Sequence, residues 1–188
     1  MILVFFGMTA SGKSTLAALC ATRWQVPHHN TDQVRKELAG LAAGTPRPDG
    51  IDQGIYTREM SSRTYAALLD RAAADLRDGA ALTILDGSYS TRAERERVRE
   101  LASRLGTPLR FLYCWCSETE AFRRMQKRAA SAFRVSDGRP EIYRHQQKTF
   151  ALPEPDEEDI VSFNTEDQTD RLAARLEGAG LLPAGLVL

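Results

Sequence analysis

The sequence has no cysteine framework, no long apolar run and no excess of either charge. Three cysteines in 188 residues are too few to staple a fold, and Cys114 and Cys116 lack the spacing of a zinc knuckle. They are expected to be reduced core thiols. No apolar stretch approaches the ~20 residues that a membrane helix needs. The run at Ile2–Phe6 has no basic segment before it and no small-residue cleavage site after it, so it reads as a strand. The expected protein is cytoplasmic and has no membrane contact. Lys plus Arg and Asp plus Glu number 25 each, so zero formal charge gives no general attraction to nucleic acid or anionic lipid. Any polyanion site must be local. His28, His29 and His145 are scattered without metal-ligand spacing. No repeat or low-complexity tract is present.

What the chain does have is alternation. Strand-length apolar runs alternate with segments whose apolar residues recur every three or four positions, the pattern of an α/β protein with a parallel sheet covered by helices. Strands are expected at Ile2–Phe6, Gln25–Asn30, Ala81–Asp86, Leu109–Cys116 and Asp159–Asn164. Helices are expected at Lys13–Arg23, Asp32–Ala39, Arg58–Arg77, Arg92–Leu105, Glu118–Ala130, Arg139–Thr149 and about 168–177. Thr91, Ser117 and Thr165 or Asp167 stand where N-cap oxygens belong, and Gly79, Gly106 and Gly178 where left-handed residues follow helices. One domain spanning 1–188 is expected, with a lid at about 123–140 and a loosely docked tail at 178–188. Gly40–Tyr56, Ala130–Pro140 and Ala151–Glu158 interrupt the alternation, as substrate loops and lids do.

Gly7-Met8-Thr9-Ala10-Ser11-Gly12-Lys13-Ser14 fits G-x-x-x-x-G-K-[ST] without a mismatch, between a strand and a helix as that motif requires. Glycines let the backbone wrap phosphates, and the helix N-terminus adds donors and partial positive charge. Gly7, Thr9, Ala10, Ser11, Gly12, Lys13, Ser14 and Thr15 are therefore the candidate residues for binding the triphosphate of ATP. Lys13 would reach the β- and γ-phosphates, and Ser14 would ligate Mg²⁺.

Thr83-Ile84-Leu85-Asp86-Gly87 resembles a Walker B strand, with Asp86 at the magnesium shell. Motor ATPases usually follow that acid with a water-activating Glu; here the residue is Gly87. The N-K-x-D segment of switch GTPases is absent. At the end of the second strand stands Asn30-Thr31-Asp32-Gln33-Val34-Arg35. This set resembles the D-x-x-R motif of polynucleotide-kinase-like, gluconate-kinase-like and zeta-toxin-like P-loop kinases. The resemblance implies that Asp32 contacts an acceptor hydroxyl and that Arg35 grips substrate or orients Asp32. A carboxylate there could orient the hydroxyl and take its proton, although Asp32 could also simply cap the helix that follows.

The basic helix around Arg123, Arg124, Lys127 and Arg128 falls where this group carries its lid. Arg124 and Arg128, four apart and so on one face, are the expected transition-state cations. Gly54-Ile55-Tyr56-Thr57 and Ser88-Tyr89-Ser90-Thr91-Arg92 are expected near the acceptor. The similarity extends over about 1–177 and is greatest to AAA-type kinases, including the ATP-binding half of bifunctional aminoglycoside-phosphotransferase-like proteins. It implies a P-loop three-layer sandwich and an ATP-dependent phosphotransferase acting on a hydroxyl of a small polar metabolite. A nucleic-acid 5′-hydroxyl kinase and an ATP-binding regulatory module are the alternatives. The acceptor, the oligomeric state and any separately encoded partner domain are left open.

Overall fold

In a computed structural model, residues 1–42, 45, 53–129, 139–167 and 169–178 are described. Central strand β1 (Ile2–Phe6) is buried along its whole length and leads into α1 (Lys13–Trp24). Then follow β2 (His28–Asn30), α2 (Thr31–Leu38), a 3₁₀ turn (Gly54–Tyr56) and α3 (Arg58–Arg77). The chain continues through β3 (Thr83–Gly87), α4 (Arg92–Leu105), β4 (Leu109–Trp115) and α5 (Glu118–Ala129), and ends with α6 (Pro140–Thr149), β5 (Ile160–Asn164) and α7 (Thr169–Gly178).

The five strands lie in the order β2-β3-β1-β4-β5, and every pairing is parallel. β1 is apolar throughout because both its faces are covered. Leu3 and Phe5 join Leu16, Cys20 and Trp24 of α1 and Leu172 and Leu176 of α7 on one side. Ile2, Val4 and Phe6 join Val34, Leu68, Val98 and Leu101 from α2, α3 and α4 on the other. The result is the expected three-layer sandwich. A smaller cluster of Ala10, Ala121, Met125 and Tyr143 seats α5 and α6 on the turn after β1.

Register sets the level of the site. Phe5 pairs with Asp86 and Phe6 with Gly87, and Asn30 pairs with Asp86. Three strands thus end together at their carboxyl edge, where open α/β sheets bind ligands.

Several boundaries differ from expectation for local reasons. β2 begins at His28 because Gln25, the left-handed C-cap of α1 with φ 53°, still turns the chain, and Pro27 has no N–H to pair. Thr91 forms a full capping box with Glu94, and the Ser117 hydroxyl accepts from the Glu120 amide. Gly79 and Gly106 are left-handed as expected, whereas Gly178 is the last residue of α7 and has no positive φ. The Thr165 hydroxyl lies within hydrogen-bond distance of the carbonyls of Ser11 at 2.6 Å and Trp115 at 3.2 Å. Of the expected lid, residues 130–138 lie outside the described residues, as do 179–188 of the expected tail. The acidic stretch 151–158 is a strap. Arg92 meets Glu154 and Asp156, while Arg95 and Arg99 meet Glu157.

Candidate active site

Gly7, Ala10 and Gly12 have φ values of 145°, 62° and 87°, and alternating left-handed residues curl backbone amides around an anion-sized concavity. Gly12 caps α1 without a side-chain hydrogen bond, so the first amides of that helix stay available to phosphate. Neither glycine tolerates a side chain. A Cβ on Gly7 would lie 2.2 Å from the Cys114 carbonyl oxygen, and one on Gly12 would lie 2.8 Å from Arg124 Nη1. Ser11 Oγ is buried without a hydrogen-bond partner, a polar atom left for a ligand. Lys13 Nζ donates to the Met8 carbonyl at 3.3 Å, which places its ammonium beside the Thr9 end of the loop.

Beside Ser14 stands the acid of β3. Asp86 is fully buried, and its oxygens accept from Ser14 Oγ at 3.1 Å and from Asn30 Nδ2. His28 Nε2 lies 3.6 Å away. Among the described residues no three His, Cys, Asp or Glu side chains form a metal cluster. Magnesium, however, commonly binds through one or two carboxylates plus substrate phosphates rather than in an all-protein cage. A buried carboxylate in contact with the loop hydroxyl fits that kind of shared ion.

Asn30 has a second task. Its Oδ1 accepts from the amides of Asp32 and Gln33 at 3.0 and 3.1 Å, so Asn30 caps α2, which leaves Asp32 without that duty. Backbone amides can only donate, which fixes Nδ2 as the end facing Asp86. One carboxamide therefore joins Asp86 to the helix that carries Asp32 and Arg35.

Asp32 Oδ1 receives Arg35 Nη1 at 3.3 Å, and the Arg35 guanidinium lies over Tyr56, 4.9 Å from the ring centroid. Arg35 is buried, and its Nε has no hydrogen-bond partner. Together with Thr9, Lys13, Ser14, Asn30, Thr31, Ser88, Ile142 and Gln146, these three residues line a cavity of ≈ 160 Å³. Tyr56 and Ser88 thus line the cavity that holds Asp32, the side on which they are expected; Tyr89 and Arg92 do not. Tyr89 is buried, with φ 41°, its amide donating to the Tyr65 hydroxyl. Arg92 is occupied by the acidic strap.

On the opposite side of the loop, Gly12, Thr15, Arg124, Arg128, Thr165 and Asp167 line a larger cavity of ≈ 470 Å³. Arg124 is spanned between partners: Nε to Glu120 at 2.7 Å, Nη1 to the carbonyl of Ala10 at 3.3 Å and Nη2 to the carbonyl of Thr165 at 2.7 Å. Hydrogen bonds from Arg123 and then Arg124 hold the Glu120 carboxyl down at about 2. Arg128 is half-buried, and burial, with Arg124 close by, pushes its pKa down, the condition of a cation with room for an anion. The two arginines thus share a face as expected, but in this arrangement they flank the Thr15 side of the loop and not the cavity that holds Asp32.

Gln146 was not legible in the sequence. Its Oε1 accepts from the Thr9 amide at 2.7 Å across 137 positions. Thr165, which braces the loop from the residue after β5, reads in the sequence only as a candidate cap. A side chain that meets a backbone atom so far away leaves no periodicity or spacing to find.

The AAA domain family matches residues 2–153. No curated protein matches the sequence. Among solved structures, a sugar kinase from Janibacter sp. HTCC2649 superposes with TM-score 0.70 at 20% identity, covering 100% of this chain and 98% of that one. A gluconokinase from Sinorhizobium meliloti 1021 gives 0.61 at 22% identity, covering 95% and 93%. The APS kinase of Mycobacterium tuberculosis, in complex with AMPPNP and APS, gives 0.64 at 17% identity, covering 94% and 95%. The architecture is that of P-loop kinases.

Proposed function

The chain belongs to the AAA domain family, and on that basis we propose that it transfers the γ-phosphate of ATP to a hydroxyl of a small polar metabolite. The observation that carries this reading is the position of Asp32: Asn30 caps the helix in its place, and the carboxylate lines one cavity with Lys13 and Ser14. Similar folds in kinases of sugars, gluconate and APS support it.

In this reading the nucleoside occupies the larger cavity beside Thr15, with the triphosphate along Gly7–Thr15 and the γ-phosphate at the Thr9 end. Asp32 orients the acceptor hydroxyl and takes its proton as that oxygen bonds to the γ-phosphorus. The bond to the bridging oxygen breaks and ADP leaves. Arg35 aligns Asp32 and offers its Nε to the acceptor. Lys13 neutralises charge on the β- and γ-phosphates. Arg124 and Arg128 offset charge on the nucleotide from the other side, and they reach the γ-phosphate only if α5 moves on closure. Ser14 and Asp86 would hold Mg²⁺, which supplies Lewis-acid neutralisation of the phosphate oxygens when bound.

The acceptor cavity, ≈ 160 Å³, is only slightly larger than the ~150 Å³ engineered cavity that takes one benzene, which favours small polyols and acids over nucleosides and oligonucleotides. The test is ATP consumption against a panel of C3–C7 sugars, sugar alcohols and sugar acids, with ³¹P NMR of the product. A new phosphomonoester is expected. If no compound draws ATP above the water background, a nucleotide-binding module replaces this reading.

The Asn30 bridge can be tested separately. Asn30→Ser keeps an oxygen to cap α2 and removes the donor to Asp86. It is expected to leave the melting temperature nearly unchanged and to weaken Mn²⁺ binding to the AMPPNP complex by about 10–100-fold, read by electron paramagnetic resonance. Unchanged Mn²⁺ affinity would make Asn30 a helix cap only.

A further inference from the structure

The Thr9 amide, one of the loop's inward-facing donors, already has a partner within the protein. The amide donates to Gln146 Oε1 at 2.7 Å, a short and well-formed hydrogen bond. Because a backbone N–H can only donate, the carbonyl end of the carboxamide must face the loop. A carbonyl oxygen therefore sits where a phosphate-binding loop would present a donor to an anion.

The end of the loop that Thr9 occupies follows from its neighbours. Lys13 Nζ rests on the carbonyl of Met8, the residue before Thr9, and lysines of this motif reach the β- and γ-phosphates. Thr9 also shares its cavity with Ser14 and Asp32, whereas Thr15 faces the other cavity. The Thr9 amide is thus at the γ end. At that position a diphosphate would leave it alone, whereas a triphosphate would bring an anionic oxygen within its reach.

Gln146 lies on α6, which also supplies Ile142 to the wall of the acceptor cavity. Tyr143, one turn before Gln146, packs with Ala10 of the loop and Ala121 and Met125 of α5. Among the described residues the helix is therefore seated on the loop by the apolar packing of Tyr143 and by the Gln146 hydrogen bond, and only the hydrogen bond competes with phosphate.

We propose that Gln146 reads the γ-phosphate: its carbonyl holds the Thr9 amide in the free and ADP-bound protein, and ATP displaces it, re-seating α6 at the wall of the acceptor cavity. Gln146 then determines specificity for a triphosphate over a diphosphate, and the acceptor cavity takes its working shape only after ATP is bound. An oxygen of a phosphoryl group forms the stronger, charge-assisted bond to the same amide, which gives the exchange its direction. Only the acceptor wall depends on the phosphotransfer reading. The latch is measured by binding alone, so a protein that transfers nothing and a protein without a latch give different results.

The test is calorimetric affinity for ADP and for AMPPNP, at fixed Mg²⁺ and ionic strength, in the wild type, Gln146→Ala and Gln146→Glu. Gln146 is only half-buried, and both variants are expected to fold, as a thermal melt would verify. Alanine frees the amide, so AMPPNP binding should tighten by about two- to tenfold, the value of one neutral hydrogen bond, with ADP within about twofold. Glutamate keeps the contact and adds a charge facing the γ-phosphate, so AMPPNP should weaken by about tenfold or more and ADP by less. In the wild type, amide exchange in α6 should rise with AMPPNP and not with ADP. Weaker AMPPNP binding in Gln146→Ala, equal shifts for the two nucleotides, or exchange indifferent to the γ-phosphate would each overturn the latch.

Discussion

Asp32→Asn is expected to lower phosphoryl transfer by about 10²–10⁴, the usual range for loss of a positioned general base, while leaving the affinity for AMPPNP within about twofold. The substitution keeps shape and keeps an oxygen for Arg35, which donates to Oδ1 at 3.3 Å. It removes the negative charge and the ability to accept the acceptor's proton. Helix α2 should survive, because Asn30 caps it through the Asp32 and Gln33 amides, and those amides are unchanged. The nucleotide should survive as well, because the loop residues that would hold it, from Gly7 to Thr15, are not touched. A fall in kcat with the acceptor found in the panel, together with unchanged calorimetric affinity for AMPPNP, is the expected pair of results. Turnover above about a tenth of wild type would sink the proton-acceptor role. Loss of AMPPNP binding would instead assign Asp32 to the nucleotide.

The parts of the site that were readable share a property. Each imposes a local rule on its neighbours. Gly7 and Gly12 must be glycines because both hold a positive φ and, at Gly7, a backbone carbonyl occupies the space of a side chain, and Lys13 and Ser14 follow at fixed offsets. Asp86 was readable because Ala81, Leu82, Ile84 and Leu85 precede it, an apolar run broken only by Thr83. The sheet was readable for the same reason: β1 is buried on both faces and shows it as an unbroken apolar run. What escaped is held by long-range contacts. Gln146 to Thr9, Thr165 to Ser11, and Arg95 to Glu157 join residues far apart in the chain. Tyr89 misled because its loop position suggested a ligand role, whereas the Tyr65 hydroxyl and burial pull it into the core. The acidic stretch 151–158, expected among the substrate loops and lids, is instead held as a strap by three arginines of α4, whose long-range pairing the sequence does not show.

That strap gives the largest expected effect on stability. Arg95 and Glu157 are almost completely buried, with side chains 0% and 1% exposed. They form a two-pronged pair, Nε to Oε1 at 2.8 Å and Nη2 to Oε2 at 2.7 Å, and Arg99 adds Nη2 to Oε1 at 2.9 Å. Arg95 Nη1 also donates to the carbonyls of Tyr89 and Ala151, so the pair ties the strap after α6 to the loop that presents Ser88. Glu157→Gln leaves a guanidinium buried without its counter-charge, which should destabilise by about 3–5 kcal/mol, a fall of roughly 6–20 °C in melting temperature for a domain of this size. Replacing both partners, Arg95→Met with Glu157→Leu, should recover most of that loss, because the desolvation of both charges disappears with them. A double variant no better than the single one would show that the hydrogen bonds to Tyr89 and Ala151, and not the buried charges, carry the stability. The pH dependence has a definite sign. Hydrogen bonds from Arg95, joined by the Glu154 amide and Arg99, pull the Glu157 carboxyl from 4.5 down to about 2. Its folded value lies below its unfolded one, so its contribution is complete above about 4.5 and is lost as pH falls toward about 2. Urea midpoints measured across that interval should therefore drop more steeply in the wild type than in Glu157→Gln, and equal slopes would remove Glu157 from the acid response.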